Sequence, residues 1–177
     1  MKLKIPYLVA TVVATTSLLY LADTEGLSAA QLVSFNTVSG QQIDLAAPEG
    51  KTRLVSFWAP DCPISERNAP DLSHLQSQFA DDEFEIVAIA MPYASEDEVQ
   101  TFSADTEYSV AHDSDGSVTK GFPGVRFTPT TFLIDSDGTI VWRHVGRLKA
   151  TDTVGRITDL LQPDTVAESS TLATEGG

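Results

Sequence analysis

The sequence predicts a mixed α/β domain, a central sheet with parallel and antiparallel strands and helices on both of its faces. Three observations predict it. Two short, mostly apolar runs, Arg53 to Trp58 and Phe84 to Met91, have the composition of strands buried on both sides. Helical periodicity follows each of them. A strand–turn–strand pattern then precedes a last amphipathic helix, which adds an antiparallel pair to the sheet.

The elements follow in order. RLVSFW, Arg53 to Trp58, lies between the Pro48-Glu49-Gly50 turn and Pro60 and reads as a buried strand. Leu72, Leu75 and Phe79 keep helical spacing, so a helix covers about Ile64 to Phe79 with a kink near Pro70. FEIVAIAM is the second buried strand. Ser95 to Glu98 is a capping box opening a helix with Val99 and Phe102 inward. Thr131 to Asp135, the turn Ser136-Asp137-Gly138 and TIVWRHV make a β-hairpin. Val154, Ile157, Leu160 and Leu161 form the closing helix, stopped by Pro163. The resulting order is βαβαββα.

The chain has 177 residues and a formal net charge of −14, from 25 Asp and Glu against 11 Lys and Arg. With 42% hydrophobic and 20% charged residues it is a globular composition. Three segments are expected: a leader over 1–30, one domain over 31–162 and a disordered Ser-, Thr- and Gly-rich tail over 163–177. No basic footprint exists to displace counterions, which excludes nucleic acid as a partner. One cysteine, Cys62, excludes an intramolecular disulfide framework and a multi-cysteine metal cluster. No metal or other cofactor is expected. Between Arg67 and Lys120 no Lys or Arg occurs, while 12 carboxylates do. Such a stretch reads first as a solvated acidic face and second as a docking surface for a basic partner.

Lys2 and Lys4 precede 18 uncharged residues, Ile5 to Ala22, and Asp23 and Glu25 follow at once. As a helix the run would span about 27 Å, close to the roughly 30 Å hydrocarbon core. It reads as a signal peptide or a membrane anchor. Both alternatives place the remainder outside the cytoplasm by the positive-inside rule, in the periplasm, with the inner membrane as a partner if the segment stays uncleaved.

Chemistry gathers at Cys62. A cysteine just past a buried strand, at the first turn of a helix, faces backbone N–H groups that stabilise a thiolate. FWAPDCPIS, Phe57 to Ser65, followed by Pro70, resembles the active-site segment of the thioredoxin-fold TlpA, ResA and CcmG group, a redoxin-like family of membrane-tethered thiol–disulfide proteins. Gly124 to Asp135, with Thr128-Pro129 inside it, and Trp142 to Gly146 are similar to the family's cis-proline loop and last two strands. The similarity covers about Leu32 to Leu161. It implies a thioredoxin-like fold in which Thr128-Pro129 is cis and lies beside Cys62. It also implies a substrate surface made by Trp58, Pro63, Thr128 and Pro129.

The departures from the family pattern concern catalysis. Ser65 stands where the family has its second, resolving cysteine. Asp61 replaces a tryptophan, Asn68 a glutamate, and Ser56 the buried aspartate of classical thioredoxins. A helix N-terminus is worth about 0.3–2 kcal/mol to an anion. A carboxylate about 6 Å away costs about 0.7–2.8 kcal/mol. Asp61 is therefore expected to offset the helix and leave Cys62 less acidic than the family's usual thiol.

The reading that follows is an extracytoplasmic thiol–disulfide exchange enzyme with one nucleophilic cysteine, with Asp61 and Ser65 as the other site residues. Its partners are disulfide- or thiol-bearing proteins, with glutathione or a membrane reductase as possible second thiols. A peroxiredoxin-like peroxidase is the runner-up, although Ala59 stands where peroxiredoxins place Thr or Ser and Pro129 where they place an arginine. A third reading is a non-catalytic thioredoxin-fold module that binds peptides along the cis-proline edge. His74 lies 12 residues past Cys62, too far along the same helix to serve as its base. The Asp135-Ser136-Asp137-Gly138 run lacks the downstream glutamate of a calcium loop and reads as a turn.

Overall fold

Burial on both faces decides which runs become central strands. All seven residues of β3 (Thr52–Trp58) are buried, and so are six of the seven in β4 (Phe84–Ala90). The computed structural model describes residues 34–45, 50–80 and 83–162. Within them lie a short hairpin, β1 (Ser34–Asn36) with β2 (Gln42–Asp44), and the strands β5 (Ser109–His112), β6 (Thr130–Ile134) and β7 (Ile140–Val145). The helices are α1 (Pro63–Gln78), α2 (Glu96–Ala104), α3 (Ser117–Gly121) and α4 (Ala150–Leu161).

The main sheet has the order β5-β4-β3-β6-β7. β3 pairs parallel to β4, and β4 to β5; β6 runs antiparallel to both β3 and β7. The sheet is therefore mixed, as expected. Side chains alternate across it with period two. Leu54 and Ile86 face a core completed by Leu72 and Leu75 of α1, Val99 of α2 and Ile157 of α4. Val55, Phe57, Val87 and Ile89 face the other, beneath Ile43, Leu45, Val118 and Phe122. Helices thus lie on both faces, unequally: α1, α2 and α4 cover one, while α3 and the β1–β2 hairpin cover the other. Phe57 meets Phe122 edge-on, with ring centroids 5.0 Å apart.

The βαβαββα order omits β1, β2, β5 and α3. Three-residue strands are too short for alternation to be legible, and β5 offers only Val110 and Ala111 as buried residues. Pro70 lies exposed inside α1, which continues through it to Gln78. The capping box is present: Ser95 Oγ accepts from the Glu98 N–H at 3.3 Å, and the Ser95 N–H donates to Glu98 Oε2 at 2.9 Å. At the predicted turn, Asp135 Oδ1 accepts from the N–H groups of Asp137 and Thr139. The leader over 1–30 and the tail over 163–177 lie outside the described residues. Among the described residues no helix is long and apolar enough to cross a membrane.

Candidate active site

Topology brings three loops to one end of the sheet. The loops leaving β3 and β4 share that end because the two strands are parallel. The loop entering β6 joins them because β6 runs the other way. Cys62, Tyr93 and Thr128-Pro129 stand on these three loops.

Cys62 is the N-cap of α1, in extended conformation, with Pro63 in the first helical turn. Proline fits there because its missing N–H would have no helical partner in any case. The Cys62 carbonyl accepts from the Glu66 N–H at 3.2 Å, and Sγ donates to the Thr128 carbonyl oxygen at 3.2 Å. The Thr128–Pro129 peptide bond is cis. Both features agree with what the family resemblance implied. The Pro129 carbonyl is occupied, accepting from the Gly146 N–H at 2.8 Å.

Burial pushes the Cys62 thiol up, but hydrogen bonds outweigh it. The Ser65 hydroxyl and N–H, the Thr128 side chain and the Ile64 N–H together hold the thiol below its ordinary value. Two of those donors are N–H groups of the helix's first turn, which have no partner within the helix, and two are side chains, an arrangement that favours an anion. The expected offset by Asp61 is not what acts on the thiol. Asp61 is exposed, and its carboxylate bears instead on Tyr93. Burial first, then Asp61 and then Cys62 raise the Tyr93 phenol above its ordinary value, against a hydrogen bond from Thr128.

The substituted family positions have structural occupations. Ser65 is buried behind Cys62, where its Oγ lies 3.5 Å from the Ala59 N–H. Asn68 is buried and bonds twice, with Nδ2 donating to the Gly146 carbonyl at 3.3 Å and Oδ1 accepting from the Leu148 N–H at 3.1 Å. The side-chain amide supplies the donor and the acceptor from separate atoms. Ser56 Oγ lies 3.1 Å from Thr131 Oγ1, its cross-strand partner. Trp58 is buried and stacks on Phe102, with ring centroids 3.8 Å apart. It lines a cleft of about 550 Å³ between α1 and α2, together with Pro60, Glu66, Asp97 and Asp105. His144 Nε2 lies 2.9 Å from the Arg147 carbonyl oxygen.

Tyr93 and Phe127 were not singled out from the sequence. Phe127 could have been found from its place beside Thr128-Pro129. Tyr93 follows a strand in a loop of no periodicity.

A cysteine capping the helix after a central strand, facing a cis-proline bond, defines a thioredoxin-fold thiol–disulfide protein. The comparisons agree. The Redoxin family model matches residues 25–161. The thiol-disulfide oxidoreductase ResA of Halalkalibacterium halodurans is 31% identical over 140 residues, 76% of this chain and 77% of that protein. A thiol:disulfide interchange protein DsbE homolog of Paracoccus denitrificans is 31% identical over 119 residues, 66% of this chain and 63% of its own. The crystal structure of a thiol:disulfide interchange protein of the thioredoxin family from Chlorobium tepidum superposes with a TM-score of 0.65 at 26% identity, covering 73% of this chain and 93% of that one. The chain belongs to the Redoxin family. It is a thiol–disulfide oxidoreductase of the ResA and DsbE type whose sequence contains a single cysteine.

Proposed function

We propose that the protein exchanges disulfides outside the cytoplasm through Cys62 alone, by way of a mixed disulfide with a protein substrate. The supporting observation is the pair Cys62 and Ser65: a thiol held below its ordinary value, and a hydroxyl where a second sulfur would stand. The Cys62 thiolate attacks one sulfur of R–S–S–R′. A Cys62–S–S–R bond forms, the original S–S bond breaks, and its electron pair leaves on R′S⁻, which takes a proton from solvent. The Ser65 hydroxyl is too weak a nucleophile to complete a second displacement. A thiol from the substrate, a partner protein or glutathione therefore attacks the mixed disulfide and returns Cys62 to the thiolate. Once Sγ is in a disulfide it no longer donates to Thr128, whose carbonyl can then accept an N–H of the bound chain.

Each cycle conserves the number of disulfide bonds and returns Cys62 to the thiolate, which suits isomerisation, or transfer of a capping thiol from a protein to the resolving thiol. Lys2 and Lys4 ahead of the apolar run support an extracytoplasmic domain over 31–162 behind a leader over 1–30. The test is mass spectrometry of mixed disulfides trapped on Cys62 in cells, against a Cys62→Ser control. Partners linked at Cys62 are expected, and their absence under every redox condition overturns the proposal in favour of a peptide-binding module. Reporter fusions after Ala30 should be active only outside the cytoplasm.

A further inference from the structure

Four large hydrophobic side chains stand exposed among the described residues, and two of them, Tyr93 at 62% and Phe127 at 69%, belong to the loops that meet at Cys62. Phe127 adjoins the Thr128 carbonyl that accepts the Cys62 thiol's hydrogen bond, and its own carbonyl accepts from the Thr130 hydroxyl at 2.6 Å. The Tyr93 hydroxyl shares Thr128 and lies within the electrostatic reach of Cys62 and Asp61. Two rings in water beside a reactive sulfur are costly to leave bare and well suited to covering by a partner. Tyrosine in particular adds large contact area with few rotors to freeze.

We infer that Tyr93 and Phe127 are the specificity-determining residues of this site, and that they dock an extended polypeptide with apolar side chains beside its disulfide cysteine. The inference rests on the thiol-exchange reading above and names the substrate class of that same site. Charge argues for a polypeptide over the commonest small disulfide. Glutathione disulfide carries about two net negative charges at neutral pH. Here it would meet the exposed Asp61, next to Cys62 in sequence, and Glu66, Asp97 and Asp105, which line the cleft together with Pro60. None of these four carboxylates is in an ion pair among the described residues. The aromatic rim attracts an apolar chain, while these four carboxylates, set against the single exposed Arg126 beside Phe127, disfavour a small anion.

The test compares second-order rate constants for mixed-disulfide formation at Cys62 with two neutral disulfide peptides. One has Leu and Val flanking its cysteine, the other Ser and Gly. The full-length protein should prefer the apolar peptide by about tenfold, the scale of one aromatic anchor. The Tyr93→Ala/Phe127→Ala double variant should bring that ratio close to one, and Tyr93→Phe, which keeps the ring, should retain it. Glutathione disulfide should react more slowly than the Ser- and Gly-flanked peptide at low salt. A wild-type ratio near one, or a ratio that survives loss of both rings, overturns the inference and leaves thiol exchange standing. Failure of Cys62 to react with any disulfide overturns the exchange reading, and this inference with it.

Discussion

The Cys62 sulfur donates to the Thr128 carbonyl oxygen across 3.2 Å, though 66 residues separate the two. That bond exists only while the sulfur carries its proton. The Ser65 hydroxyl and N–H act in the opposite sense, favouring the anion. The site therefore holds both protonation states of one atom, and pH selects between them.

Alkylation of Cys62 by iodoacetamide should rise with pH through a midpoint below that of an ordinary thiol. Ser65→Ala, which removes one donor to the thiolate, should move the midpoint upward. Linkage has the same sign: a thiol lowered on folding stabilises the fold fully above the unfolded thiol's value, and the contribution is lost as pH falls through the folded value. A wild-type midpoint at or above that of a free cysteine would refute the direction.

Ser65→Cys places a second thiol three residues into the helix, in the Cys-x-x-Cys spacing that permits an intramolecular bond. The variant should form a disulfide with Cys62 on oxidation and gain turnover in a dithiol-driven insulin reduction assay. Wild type should show less such turnover, and with a disulfide substrate and no added thiol it should accumulate the mixed disulfide, as read by intact-mass spectrometry. Turnover by wild type equal to that of the variant would place resolution elsewhere.

Asn68 ties α1 to the loop after β7 through the Gly146 carbonyl and the Leu148 N–H. Asn68→Asp keeps the acceptor and sets a carboxylate oxygen against a carbonyl. Asn68→Leu leaves both backbone groups without a partner. Each should lower unfolding stability by about 1–3 kcal/mol, measured from urea midpoints at constant slope. Wild-type midpoints in both variants would remove the tie from the fold's energetics.

Burial raises the Tyr108 phenol far above its ordinary value, and its hydroxyl has no hydrogen-bond partner among the described residues. Tyr108→Phe removes an unsatisfied polar atom from the core and keeps the ring beside Phe102, 6.4 Å away. The midpoint of thermal unfolding should rise by about 2–4 °C for each kcal/mol gained. A lower midpoint would mean that the hydroxyl is satisfied in solution.

Features that depend only on neighbours along the chain could be read from the amino-acid order. The runs at β3 and β4, the Ser95–Glu98 box, the Asp135 turn and the cysteine opening α1 were legible because each is a local hydrogen-bond or burial pattern. The cis bond beside Cys62 was legible only through the motif shared with the family, since spacing alone says no more than that an X-Pro bond leads a strand. The remaining features arise when distant segments pack together. Asn68 reads as a lost glutamate until the β7–α4 loop folds onto it. Asp61, next to Cys62 in sequence, acts on Tyr93, while Ser65 acts on Cys62, because the first helical turn aims its donors at the N-cap. Tyr93 and Phe127 join the site only when parallel and antiparallel pairing bring three loops to one end of the sheet. Which side chains share an end is settled by strand direction and register, which are properties of the assembled sheet and of no single segment.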